Sequence, residues 1–232
     1  MAEHGGTEHR EERNEEELAA ARRKVSDVFD ALGIPYEIVL HPPIFSAFDN
    51  VRQEIKIDAL ICKNLFLRNK DKSRYYLFTL PLDKRADLAL LQSALGETRL
   101  SFGSADALWE LLRIHPGTVS LLNIIGASHD GYHGDGYHGD GYHGDGTFGN
   151  HGDGTFDRQA YQKYRPRDCQ KYRPRDSQHR DSLKFLLDAE VLDVPLIGVH
   201  PNDNGATIVF PPDRLKDIFE RYEADFDFIS LN

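Results

Sequence analysis

Lys63 and Asn64 lead directly into Leu65, Phe66 and Leu67, joining a cation and an amide to residues that belong inside a protein. Successive strand side chains point to opposite faces, so Lys63, Leu65 and Leu67 share one face while Asn64 and Phe66 share the other. Both faces read as buried. A lysine leading into such a strand loses water at considerable cost unless a partner or an anionic ligand lies near. Two readings follow: an anion-binding site, or an ammonium that stays in solvent at the strand mouth. Cys62 adjoins the cation, which lowers a thiol pKa, yet it points to the opposite face and has no histidine beside it, so a cysteine nucleophile is disfavoured. His133, His138 and His143 recur with Asp135, Asp140 and Asp145. Imidazole suits zinc, nickel and copper, but nothing in a glycine-rich repeat fixes the ligand geometry, and neither a metal site nor a cofactor is expected.

Composition narrows the classes. The chain has 232 residues, 40% hydrophobic and 28% charged, as in a soluble globular protein of one or two domains. Its 28 basic residues against 38 acidic ones give a net charge of -10, so nucleic acid would have to be met by a local basic patch. Two cysteines, Cys62 and Cys169, build neither a disulfide framework nor a closed zinc site. The N-terminus is too acidic for a transit peptide, and no apolar run is long enough to span a membrane. A cytoplasmic setting is expected, without membrane association.

The elements that would position Lys63 can be read in turn. Leu18, Ala21, Val25, Val28, Phe29 and Leu32 recur at helical spacing and stop at Gly33. Residues 36–40 read as a strand, and 64–67 with 75–80 as a hairpin. Residues 87–95 read as a helix ending at Gly96, 99–102 as a strand, and Ser104 as the cap of a helix through Leu112. After the turn at His115, Pro116 and Gly117, the apolar run 118–125 reads as a strand. Further on, 183–187, 196–199 and 206–210 read as strands, 202–205 as a turn and 212–222 as the closing helix.

Between these halves the chain changes character. Residues 129–181 contain no Leu, Ile, Val or Met but ten of the 19 glycines, and such a segment builds no core. Gly-Tyr-His-Gly-Asp occurs three times in 131–145, and Gln-Lys-Tyr-Arg-Pro-Arg-Asp twice in 162–176. These periods match neither helix nor strand, so a disordered insertion is expected rather than a solenoid. The segment 163–180 carries seven basic residues with Tyr164 and Tyr172, a composition suited to RNA phosphates and exposed bases or to a solvated linker. The expected organisation is a polar tail over 1–16, one domain from 17–128 and 182–232, and the insertion over 129–181.

With the insertion set aside, the order of signals resembles the free-standing prolyl-tRNA-synthetase-associated editing family, the YbaK-like alanyl-tRNA(Pro) deacylases. The words that carry it are Leu32-Gly33-Ile34 with Tyr36, His41-Pro42 with Phe45-Ser46, and Lys63 through Leu67. Leu88 through Gly96, Leu100 through Ser104, Pro116 through Ser120, His200-Pro201-Asn202 with Asn204 and Thr207, and Asp213 with Leu215 and Phe219 complete the set. No single word is diagnostic; the ordered series is. In many relatives the glycine loop continues to a proline and an aromatic, whereas here Leu121, Leu122 and Asn123 follow Ser120.

The resemblance implies a mixed α/β (α+β) fold on a twisted, partly barrel-like mixed sheet flanked by helices. It implies hydrolysis of misattached amino acid from tRNA, with alanyl-tRNA(Pro) as substrate; the alternative is an inactive accessory module that binds tRNA or a synthetase. Lys63, Asn64 and Gly117 are the implied catalytic residues: a cation for phosphate or developing charge, an amide to orient the substrate, and a turn whose backbone approaches the ester. Phe45, Ser46, Thr118, Ser120, His200 and Asn202 are the implied substrate-binding residues, with Ser46 alternatively a helix cap and His200 alternatively a structural histidine at its turn. His41 is expected to fix a turn. In relatives the attacking water is held by backbone and the substrate's ribose hydroxyl, so no side-chain base is expected. The implied partners are the aminoacylated 3′ end of tRNA and prolyl-tRNA synthetase.

Overall fold

The structure, a computed structural model, describes residues 5–44, 56–112, 114, 117–127 and 182–231. Helix α1 (Gly5–Leu32) presents Val25, Val28 and Phe29 to the core, spaced so that all three fall on one face. It ends at Gly33, whose φ of 62° is the left-handed conformation of a helix stop, and the Arg214 guanidinium donates to the carbonyls of Leu32 and Gly33. Part of the acidic stretch expected as a polar tail is therefore helical, since α1 begins at Gly5; its glutamates and arginines are good helix formers.

Strand β1 (Glu37–Leu40) is followed by the hairpin of β2 (Leu60–Asn69) and β3 (Tyr75–Pro81). Helix α2 (Leu88–Ala94) starts where the Asp87 carboxylate accepts from the N–H groups of Ala89 and Leu90. Strand β4 (Leu100–Phe102) leads to α3 (Ala105–Leu112), where the Ser104 hydroxyl accepts from Ala107 N–H. Between them stands Gly103, where an added Cβ would lie 2.2 Å from the Phe66 ring. Then come α4 (Asn123–Ala127), β5 (Leu183–Asp188), β6 (Ile197–Val199), β7 (Ala206–Phe210), α5 (Leu215–Arg221) and β8 (Asp225–Ile229).

One open mixed sheet runs β1-β7-β6-β2-β3-β5-β8, with β4 joined to β2. The pairings β2–β6, β3–β5 and β5–β8 are parallel and the rest antiparallel. The main core packs Cys62, Phe66 and Leu77 of the central strands against apolar residues of α1, α3, α4 and α5. A smaller core on the other face joins Leu67, Tyr76, Phe78 and Leu80 to Leu91 of α2. The hairpin is thus covered on both faces, as the composition of 64–67 requires.

Two expectations change. The run 118–125 is not a strand: 118–122 is loop and turn, and α4 begins at Asn123. The Ser120 hydroxyl accepts from Leu122 N–H while the Asn123 side-chain oxygen accepts from Ser120 N–H, the reciprocal pattern of a capping box, and this local pairing overrides strand propensity. Strand β8 is an addition, its Phe226 and Phe228 half-buried between exposed Asp225 and Asp227. The insertion expected over 129–181 lies outside the described residues.

Candidate active site

The site arises where β2 changes partners. Its start pairs in parallel with β6 through Leu60↔Ile197 and Ile61↔Gly198, and its end pairs with β4 from Leu67. Between these ladders that edge of β2 has no strand partner among the described residues, and the loop 117–120 approaches it. The Asn64 amide donates to the Val119 carbonyl at 3.0 Å and accepts from the Thr79 hydroxyl at 2.7 Å. Thr79 stands opposite Asn64 in the hairpin register, so both face the main core.

Lys63 points the other way. Its register partner is Leu80, whose side chain lies in the smaller core, and Lys63 sits half-buried where that core gives out. The parallel ladder with β6 ends at Ile61↔Gly198, two residues before Lys63 on one strand and two before His200 on the other. Residue 198 is glycine where neighbours pack close: an added Cβ would lie 2.7 Å from the Ile61 side chain and 3.0 Å from that of Thr207.

The electrostatics follow from this placement. Desolvation holds the Lys63 ammonium below its usual pKa, against the opposing pull of the Asp83 carboxylate. No hydrogen bond or ion pair to Lys63 is found among the described residues. Burial pushes the Cys62 thiol up to about 12, so it is no thiolate nucleophile at neutral pH. Burial also lowers the His200 pKa; its bond to the Ala206 carbonyl opposes this, and neighbouring His41 adds to it. The His200 Nδ1 lies 3.2 Å from Ala206 O, which sets Nδ1 as the protonated nitrogen and leaves Nε2 as an acceptor. The His41 ring lies 6.4 Å from that of His200, its Nε2 is 3.0 Å from the Thr207 hydroxyl, and its Nδ1 is 2.9 Å from the Pro42 carbonyl.

A buried polar layer supports the loop. Gly117 takes φ +96°, a conformation that favours glycine. Ser120 is fully buried and donates to the His200 carbonyl at 2.6 Å, so it acts on the site through the shape of the loop. Asn202, with φ 61°, donates to the Leu122 carbonyl at 3.1 Å and accepts from the Asn123 amide at 2.8 Å. Asp203 pairs with Arg22 of α1 and accepts from Gly205 N–H, tying the turn at 202–205 to the helix. Leu121 and Leu122 are buried in the main core and anchor the loop from below.

Of the residues singled out from sequence, Lys63, Asn64, Gly117, Thr118, Ser120, His200 and Asn202 gather at this junction. Phe45 and Ser46 lie outside the described residues. Thr79, Gly198 and Asp203 are supporting residues that sequence reasoning passed over. The spacing of Ser120 and Asn123 was a readable capping signal, but nothing local marks Gly198. Among the described residues, no group of three or more His, Cys, Asp or Glu side chains is arranged to hold a metal; the histidine repeats lie outside them.

Residues 41–132, which include Lys63, Asn64 and the glycine loop, match the aminoacyl-tRNA editing domain. That stretch of the chain is thus similar to aminoacyl-tRNA editing domains. It is 26% identical over 211 residues to the prolyl-tRNA editing protein ProX of Acetoanaerobium sticklandii, covering 91% of this chain and 98% of that relative. It is 30% identical over 105 residues to the prolyl-tRNA synthetase associated domain-containing protein 1 of Mus musculus, covering 44% of this chain and 62% of the mouse protein. A hypothetical protein of solved structure shares the fold with a TM-score of 0.50 at 13% identity, covering 88% of this chain and 96% of its own. Among the described residues, no helix is long and apolar enough to cross a membrane.

Proposed function

We propose that the protein is a trans-editing aminoacyl-tRNA deacylase acting on alanyl-tRNA(Pro). The observation that carries this reading is the Asn64 amide holding the glycine loop at a gap in the sheet, one residue along β2 from Lys63, within the segment that matches the editing domain. The need is physical. A pocket sized for proline cannot exclude a smaller amino acid, because a missing methylene is worth only about 1–3 kcal/mol, so a second site must remove the error.

In this reading Lys63 supplies positive charge to a 3′-terminal phosphate or to the oxyanion, and the loop presents backbone N–H groups to the ester carbonyl. Water adds to the carbonyl carbon, the ester C–O bond breaks, and the terminal ribose oxygen leaves with a proton. Asn64, Ser120 and Asn202 hold the loop; Thr118 and His200 line the cleft, with Phe45 and Ser46 assigned to the substrate side from sequence. Partners are the aminoacylated tRNA end and prolyl-tRNA synthetase, in the cytoplasm. The burial of Leu121 and Leu122 favours catalysis over an inactive binding module, since both leucines anchor the loop instead of filling the cleft.

A panel of tRNAs charged with alanine, serine, cysteine and proline tests the assignment. Rapid release of alanine from tRNA(Pro) with proline spared is the expected result. Tight tRNA binding with every ester released at the buffer rate would replace the reading with the accessory module.

A further inference from the structure

We propose that Asn123 is the positioning residue that turns the Val119 N–H outward as a donor for the ester's developing oxyanion. This rests on the deacylase reading above and names the device that shapes its loop. Asn123 is 1% exposed, and its one carboxamide engages three groups. Its oxygen accepts from Ser120 N–H, and its nitrogen donates to the Thr118 carbonyl at 3.3 Å and to the Asn202 side-chain oxygen at 2.8 Å.

The consequence follows from the planarity of the peptide. In a trans peptide the C=O and N–H point in opposite directions. Asn123 draws the Thr118 carbonyl inward, so the N–H of the same peptide, that of Val119, is directed away from Asn123. The next peptide is held from both ends, its Val119 carbonyl by Asn64 and its Ser120 N–H by Asn123. Two amide side chains on separate elements thereby fix two successive peptide planes. Among the described residues, the Val119 N–H has no hydrogen-bond partner. It belongs to the loop that Asn64 holds at the gap in β2, one residue along the strand from Lys63. Through Asn202 the same carboxamide joins this loop to the turn carrying His200, whose own carbonyl receives the Ser120 hydroxyl.

Asn123→Asp is the discriminating variant. It keeps the oxygen that accepts from Ser120 N–H, and with it the start of α4, but loses the nitrogen that donates to Thr118 and to Asn202. Asn123→Ala loses both. Expected for Asn123→Asp is a fall in kcat for alanyl-tRNA(Pro) of about 10–100-fold, less than or equal to the 10²–10³ typical of losing an oxyanion donor outright, with KM changed by less than about threefold. Amide exchange should quicken at Val119 while α4 amides keep their protection. If Asn123→Asp folds with wild-type kcat and unchanged Val119 exchange, the proposal fails. Should the wild type release no amino acid, the deacylase reading fails separately, and unchanged Val119 shift and exchange in Asn123→Asp would still overturn the positioning role. Where Asn123→Ala does not fold, Asn123→Asp alone carries the test.

Discussion

Replacing Asn64 by alanine removes one carboxamide on which a strand and a loop both depend. The Thr79 hydroxyl, 1% exposed, loses its acceptor at 2.7 Å, and the Val119 carbonyl loses its donor at 3.0 Å. A buried polar group left unpaired costs about 1–3 kcal/mol. Water can reach the half-buried loop carbonyl but not Thr79, so Asn64→Ala should destabilise the fold by about 2–4 kcal/mol. Thr79→Val removes the hydroxyl at nearly constant shape and strands only the half-buried Asn64 oxygen, costing about 1 kcal/mol. In the double variant no orphaned hydroxyl remains, so the combined loss should fall short of the sum by about 1–2 kcal/mol. Urea unfolding of the four proteins, extrapolated at equal slope, reads this directly. Additivity within about 0.5 kcal/mol would refute the view that Asn64 couples the hairpin to the loop through Thr79.

Other outcomes follow from the same structure. His200 is held below its ordinary value of 6.5, so below that pH the unfolded chain binds more protons than the folded one, and stability is lost as pH falls toward the folded pKa and complete above 6.5. His200→Gln should flatten the decline in unfolding free energy between about pH 7 and 5, with His41 and Asp203 as the facing titratable groups; an unchanged slope would contradict it. Deleting 129–181 removes seven basic residues of the 163–180 segment, and tRNA affinity should weaken with a shallower dependence on salt. Binding measured over a salt series decides it, and an identical slope would show that the segment makes no phosphate contacts.

Much of the fold was legible because local chemistry agreed with the final packing. Ser104 caps a helix as its position suggests, Gly33 ends α1, and the apolar character of 64–67 reports a strand covered on both faces. The run 118–125 misleads because hydrophobicity alone cannot distinguish a buried strand from a buried turn and helix; the pairing of Ser120 with Asn123 decides between them. In β8 the alternation of Asp225, Phe226, Asp227 and Phe228 is a period-two signal close behind α5. The site was only half legible. Lys63, Asn64 and Gly117 stand out by type and order, but the start of β2 lies beside β6 through a parallel pairing between distant segments that no local pattern encodes. Gly198, where a Cβ would strike the Ile61 and Thr207 side chains, looks in sequence like any strand glycine.

The central claim is that Lys63, left desolvated and without an ion pair among the described residues, serves the ester-cleaving step. Single-turnover deacylation of alanyl-tRNA(Pro) by the wild type and by Lys63→Ala tests it most directly. Losing a charge that meets the transition state should lower the rate by about 10²–10³-fold, while removal of a desolvated cation leaves the fold at least as stable to within about 1 kcal/mol. Equal rates for the two proteins, or a wild-type rate no faster than buffer, would contradict the account.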